Sequence, residues 1–366
     1  MLQPPLETVN LGPLTVPRIW IGLWQLSSPA WGTAPVSRVK SEMNQHYLHG
    51  FTTFDMADHY GSAELIFGQF RRALLSADNN IFGEDEITFR RSRRLPLHPP
   101  LCATKWCIFM ESHIPYTRSR VEDAVRERMR RTMGDTIDIL QVHWQHYDNS
   151  DYVNVFRYLV DIKRDGELKV RALGLVNFDS QHVNEICETI GPGELLTNQV
   201  QFSLIDVRPL YDMAAVCKKH GVKLLTYGTL CGGFLSDPWL GKPQPDPYKD
   251  KITPSQRKYL DVITDGWGTW DLFQALLTSL RMIADRHGGL SIANVATRWV
   301  LDHPFVGAVI VGARLGVAQH REDNARTIMT SFHLTAEDNQ IISNVLARSN
   351  GLRLIHTMGD CGAEYR

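Results

Sequence analysis

The chain of 366 residues carries almost no net charge, with 39 Lys and Arg set against 40 Asp and Glu. That balance removes the basic footprint expected of a nucleic-acid binder. Arg90, Arg91, Arg93 and Arg94 form one local basic cluster among turn-rich residues and read as a solvated loop. No run of about 18 apolar residues occurs, so no membrane-spanning helix is expected. The first residues, Met-Leu-Gln-Pro-Pro-Leu-Glu, lack a basic segment followed by an apolar one, and the expected location is cytoplasmic. The six cysteines include no C-x-x-C pair, so neither a zinc knuckle nor a redox dithiol is expected, and no metal site. No G-x-G-x-x-G follows a strand-like run. Cys231-Gly232-Gly233 comes nearest but lacks the spacing, which argues against a Rossmann dinucleotide site.

What the chain does have is enough apolar residues, 43%, to bury a large core, and a recurring alternation of short apolar runs with helical patterns. Two β-like runs around Gly12-Pro13 predict an N-terminal hairpin. Strands are expected to start near Arg18, Phe51, Leu101, Ile137, Val170, Leu196, Val222 and Ala308, and helices are expected between them. Eight β-then-helix units point to a (β/α)8 barrel of the TIM type, built as one domain over residues 1–366. Residues 76–100 and 236–270 read as loop insertions and 351–366 as a C-terminal tail, all at the C-terminal face. The clear helix of the later section spans Trp270 to Arg286.

In such a barrel the strand ends converge on one face. Read in order, they offer Trp24, Asp55 with Tyr60, Lys105, His143, Asn177, Gln199, Tyr227 and Gly312. Taken alone, Asp55 and Tyr60 suit a capped turn, Lys105 a surface charge and His143 a satisfied core histidine. Together they have a chemical logic. A lysine in an apolar strand needs a counter-ion, which Asp55 supplies. Its charge is expected to pull the Tyr60 pKa down towards working pH, making the phenol a proton donor to a developing alkoxide, with His143 orienting a carbonyl oxygen.

These residues sit in motifs that resemble the aldo-keto reductase superfamily of NADP(H)-dependent oxidoreductases. Asp55-Met-Ala-Asp-His-Tyr60-Gly-Ser-Ala-Glu64 matches D-x-A-x-x-Y-G-x-x-E, Ala103-Thr104-Lys105 matches an A-T-K strand, and Gln141-Val142-His143-Trp144 is similar to Q-x-H-W. The likeness continues through Lys169 to Phe178, Asn198-Gln199 and Val311 to Asn324, and covers the chain to about residue 345. It implies that Tyr60 is the acid in carbonyl reduction and the base in alcohol oxidation, tuned by Lys105 and Asp55 and assisted by His143. It also implies that Asn177 and Gln199 hold the nicotinamide carboxamide, that Tyr227 stacks on the ring, and that Gly312, Arg314, His320 and Asn324 meet the adenosine phosphate end.

NADPH is expected over NADH because Arg314, His320 and Arg321 offer positive groups there. Val176 stands where the family usually has serine, and Gly312 to Asn324 is two residues longer than the common pattern. The expected substrate is a small-molecule carbonyl or alcohol, with Trp24 and Trp144 lining a pocket for a bulky or aromatic compound. Two alternatives share the same residues. One is a sugar or polyol dehydrogenase working oxidatively, and the other a cofactor-binding regulatory subunit of the channel β-subunit type.

Overall fold

The computed structural model describes residues 6–77, 98–110, 114–329 and 332–366. The expected hairpin is present as β1 (Thr8–Leu11) and β2 (Leu14–Pro17), paired antiparallel. Gly12 at its turn has φ of 54°. Eight parallel strands follow: β3 (Ile19–Gly22), β4 (Thr53–Asp55), β5 (Leu101–Ile108), β6 (Thr136–Trp144), β7 (Lys169–Val176), β8 (Leu195–Gln201), β9 (Lys223–Tyr227) and β10 (Val306–Gly312). They close into a barrel in which β10 pairs with both β9 and β3. This is the (β/α)8 architecture read from the sequence.

The hairpin covers the N-terminal end of the barrel. Its Leu11, Leu14 and Val16 join Trp20, Ala103, Ile139, Ala172, Leu225 and Ile310 in one buried cluster, so that end is filled with apolar side chains. Polar residues are thereby left to the opposite end. Gly174 of β7 serves this arrangement. A Cβ there would lie 2.2 Å from the Thr197 Oγ1 and 3.3 Å from Gln141, so glycine makes room for Thr197 of β8 and eases the passage of the Gln141 side chain.

Helices α1 (Val36–Leu48), α2 (Ala63–Ala77), α3 (Arg118–Arg131), α4 (Tyr152–Asp165), α5 (Ser180–Ile190) and α6 (Asp212–His220) follow successive strands. Two strands run further than their apolar pattern suggested. β5 continues three residues past Lys105 and β6 one past His143, so both polar side chains sit within strands and are held more rigidly than strand-end residues.

The stretch 236–270 is not only loop. It contains α7 (Pro254–Asp261), started by a capping box between Thr253 and Gln256 with proline at its first position, and continued by a π-helical turn to Trp267. The chain then forms α8 (Trp270–Arg286), α9 (Ile292–Leu301), α10 (Arg321–Met329) and α11 (Ala336–Leu346), which build a large apolar layer around Trp267, Phe273 and Leu277. The expected insertion 76–100 falls largely outside the described residues. Residues 351–366 fold as short helical turns, including α12 (Leu354–Met358), and pack inward with Cys361 buried. Among the described residues no helix is long and apolar enough to cross a membrane.

Candidate active site

Strand register brings the polar residues together. Asp55 pairs with Ala103, Lys105 with Gln141, and Val176 with Gln199, so Asp55, Lys105, Gln141 and Gln199 occupy adjacent positions around the inner wall. The Lys105 Nζ donates to Asp55 Oδ2 at 2.5 Å and to the Met56 carbonyl at 3.0 Å, and both side chains are almost wholly buried. The second Asp55 oxygen accepts from Gln141 Nε2 at 3.1 Å and from Gln199 Nε2 at 2.9 Å. Gln199 Nε2 also lies 2.8 Å from Gln141 Oε1. A buried carboxylate is tolerable here because a cation and two amides share its charge. Gln141 had no role assigned from the sequence, and the Gln199 amide nitrogen is directed to this network.

Tyr60 lies in the turn after β4, with the Lys105 Nζ 4.8 Å from its ring centroid. The expected fall in its pKa is corrected by this geometry. Burial pushes the phenol well above its ordinary value, and the Asp55 carboxylate adds to the rise. Lys105 is already neutralised by Asp55, and it faces the ring of Tyr60. The phenol therefore holds its proton, as a donor must.

His143 is buried and its imidazole is held neutral, its pKa brought down to about 3 by burial and then by the neighbouring Arg366. Phe109 meets it edge-on at 5.1 Å from one side and Tyr365 at 5.8 Å from another. Asn177 follows β7 in the left-handed region at φ of 58°, a conformation asparagine tolerates better than most residues. Its Nδ2 lies 3.4 Å from His143 Nε2, and its Oδ1 accepts from the Tyr227 hydroxyl at 2.9 Å. His143, Asn177 and Tyr227 therefore form one contact chain beside the Asp55–Lys105 pair.

The two tryptophans part company. Trp24 lies just past β3, 39% exposed, against Trp31. Trp144 is corrected from pocket to packing. Side chains alternate along β6, so with His143 inward its indole faces the helices, where it packs on Tyr116 and Tyr152 and donates to the His146 carbonyl.

Asp58, His59 and Cys107 place potential ligand atoms within 4.8 Å of one another. Asp58 is tied to Arg128 at 3.1 Å and to the Cys107 amide, and burial with the Asp58 charge keeps the Cys107 thiol protonated. The group works as a brace between the β4–α2 turn, β5 and α3. Glu64, wholly buried, does the same one turn later through Thr104 at 2.6 Å and Arg131 at 2.5 Å.

At the β10 end, Gly312 allows the Gln25 amide to lie against the backbone, since a Cβ would come within 2.2 Å of it. Arg321 and Asn324 are buried on the first turns of α10, His320 is exposed just before it, and Arg314 is half-buried in the connecting loop. Arg321 meets Glu42 at 3.4 Å, while its Nε and the Gln25 Oε1 are buried without partners among the described residues. A guanidinium with an unused N–H at a helix N-terminus suits a phosphate. The residues present thus fit a dinucleotide, with an amide and a ring at one end and an anion seat at the other.

The aldo/keto reductase family profile matches residues 18–347. The fold is similar to that of the glycerol dehydrogenase from Gluconobacter oxydans, with a TM-score of 0.69, 23% identity, and 93% of this chain and 95% of that one covered. It is also similar to an aldo/keto reductase from Klebsiella pneumoniae solved with NADP and acetate, with a TM-score of 0.64, 20% identity and the same coverages. In sequence the chain is 26% identical over 291 residues to flagellar radial spoke protein 5 of Chlamydomonas reinhardtii, a match that takes in 69% of this chain and 54%, about half, of that protein. With the family pattern filled across nearly all of the barrel, the chain belongs to the aldo/keto reductase family.

Proposed function

We propose that the protein is an NADP(H)-dependent reductase of a small-molecule carbonyl compound, with Tyr60 as the proton donor. The observation that carries this is the buried Asp55–Lys105 pair set against the Tyr60 ring, with a neutral His143 at the same mouth. NADP(H), when bound, supplies the hydride acceptor or donor. Asn177 and Tyr227 would hold its nicotinamide end, and Arg314, His320, Arg321 and Asn324 its phosphate end, where the positive groups favour the 2′-phosphate of NADPH over NADH.

The neutral imidazole of His143 can donate one hydrogen bond to a carbonyl oxygen without becoming an acid itself. Tyr60 then delivers its proton to that oxygen as negative charge develops. Lys105 and Asp55 do not touch the substrate. They fix the electrostatic surroundings of the phenol, and Gln141 with Gln199 holds Asp55 in place. Phe109 and the exposed face of Trp24 provide apolar surface for a substrate.

The test is Tyr60→Phe, assayed with NADPH across a panel of aldehydes and ketones. NADPH binding should persist while turnover falls by about 10²–10⁴-fold, the range of general acid catalysis. Wild-type turnover in the variant would sink the assignment. The likeness to a radial spoke protein favours a second reading, a nucleotide-binding structural subunit. Its signature would be NADPH binding with no oxidation over the whole panel and a stoichiometric partner.

A further inference from the structure

We infer that residues 359–366 are a built-in competitor of the dinucleotide, docked in the nicotinamide half of the site and displaced when the cofactor binds. The inference rests on the NADP(H) reading above and adds to it a means of regulation. The segment lies outside the part of the chain that the family profile matches, which ends at residue 347.

Its seat is specific. Arg208, 1% exposed, holds Asp206 with one edge and reaches Glu364 with two nitrogens, at 2.9 and 3.1 Å. Asp360 accepts from the backbone and hydroxyl of Ser180 at 2.7 and 2.6 Å. Gly362 has φ of 78°, and a Cβ on it would stand 2.1 Å from the Asn177 carbonyl oxygen, so the segment can approach this closely only with glycine there.

The docked segment uses the groups that a nicotinamide would need. The Tyr365 hydroxyl lies 3.1 Å from that of Tyr227 and 3.0 Å from Lys258 Nζ, and its ring stands edge-on to His143. Arg366 donates to the Asn177 carbonyl and covers the Tyr147 ring. With its Oδ1 on Tyr227 and its Nδ2 beside His143, Asn177 has its amide committed within the same contact chain. The tail thus stands against Asn177, Tyr227 and His143, with Tyr365 on the Tyr227 hydroxyl and beside the His143 ring and Arg366 on the Asn177 backbone carbonyl, and a nicotinamide seated on these residues must displace it. Most of these contacts are polar or ionic, so release exposes little apolar surface beyond Cys361, but it breaks the buried Arg208–Glu364 pair, a cost that the incoming cofactor must offset.

If the docked form makes up about nine-tenths or more of the population, the apparent dissociation constant for cofactor is raised about tenfold or more. The test is a titration with NADPH, followed by tryptophan fluorescence, of wild type, Gly362→Ala and Tyr365→Ala, with hydrogen exchange of residues 359–366 measured with and without NADPH. Binding should tighten by about tenfold or more in both variants. In the wild type, exchange across the segment should rise on NADPH addition. Tyr365→Ala removes only a side chain from the mouth and carries the test if Gly362→Ala folds poorly. Equal or weaker affinity in Tyr365→Ala, or a segment that stays protected at saturating NADPH, overturns the inference and leaves the function standing. Failure of every form to bind NADPH overturns both.

Discussion

Removing either member of the buried Asp55–Lys105 pair should destabilise the fold, and the two losses should differ in size and in pH dependence. Breaking a buried pair by deleting one partner costs about 3–5 kcal/mol, because a charge is left behind without compensation. In Lys105→Met the remaining Asp55 keeps two amide donors on Oδ1, from Gln141 and Gln199, so the loss should lie near the lower end, about 3 kcal/mol. In Asp55→Asn the ammonium loses its counter-charge, and the one remaining side-chain oxygen cannot serve both Lys105 and the Gln141 and Gln199 amides, so the loss should lie nearer about 5 kcal/mol. A lysine left in that state favours its neutral form, and its folded pKa falls below the unfolded one. Stability tied to a depressed pKa is present at high pH and lost as pH falls, so Asp55→Asn should recover part of its deficit as pH rises. The assay is equilibrium urea unfolding of wild type, both single variants and the double variant at several pH values. The double variant should be less destabilised than the sum of the singles by at least about 1 kcal/mol, a coupling expected of groups in contact. Additive losses, or singles within about 0.5 kcal/mol of wild type as for exposed substitutions, would refute the claim that this pair is desolvated and mutually dependent.

His143 gives a prediction with a defined window. Its pKa is about 3 in the fold against 6.5 ordinarily, so the unfolded chain binds a proton below 6.5 that the folded chain refuses until about 3. Its contribution is present above pH 6.5 and is lost as pH falls through that interval, on the order of 5 kcal/mol in all. His143→Gln should flatten the acid limb of stability measured by circular dichroism, and an unchanged slope between pH 6 and pH 4 would contradict the burial argument. Gly174→Ala forces a Cβ to 2.2 Å from Thr197 Oγ1 and should cost about 1–3 kcal/mol in thermal or urea unfolding, as overpacking does. Thr197→Ala added to it should restore part of the loss. A neutral Gly174→Ala would show that the barrel wall can give at this point.

The barrel was legible because parallel strands covered on both faces are nearly continuous apolar runs, against which Asp55, Lys105, His143 and Asn177 stand out as polar interruptions. The helix Pro254–Asp261 carried a local signal, Thr253-Pro254 with Gln256 three residues past the cap, yet the surrounding Pro and Gly content made the whole stretch read as loop. Trp144 could have been placed by period alone, since a strand cannot point both it and His143 inward. Gln141 stood in a quoted motif, but its bond to Asp55 spans 86 residues and depends on register around a closed barrel. Nothing local marked Tyr365, Arg366 or Glu364. Their partners lie 138 residues away at Tyr227, 189 at Asn177 and 156 at Arg208, and only the path of the folded tail reveals them.

The same tail bears on why the Tyr60 phenol stands above its ordinary pKa where a tuned acid was expected. Lys105 and Asp55 together act on it as a dipole rather than as a free cation, and burial completes the rise. Tyr365 is among the groups that raise Tyr60, and Arg366 is the largest charged contributor to the lowering of His143. Withdrawal of residues 359–366 removes both influences at once and admits water or ligand to the mouth. Tyr60 then becomes easier to ionise and His143 easier to protonate, so each moves back towards neutrality from its own side. Tail displacement would thus couple cofactor admission to acid strength through the two side chains that meet the substrate oxygen.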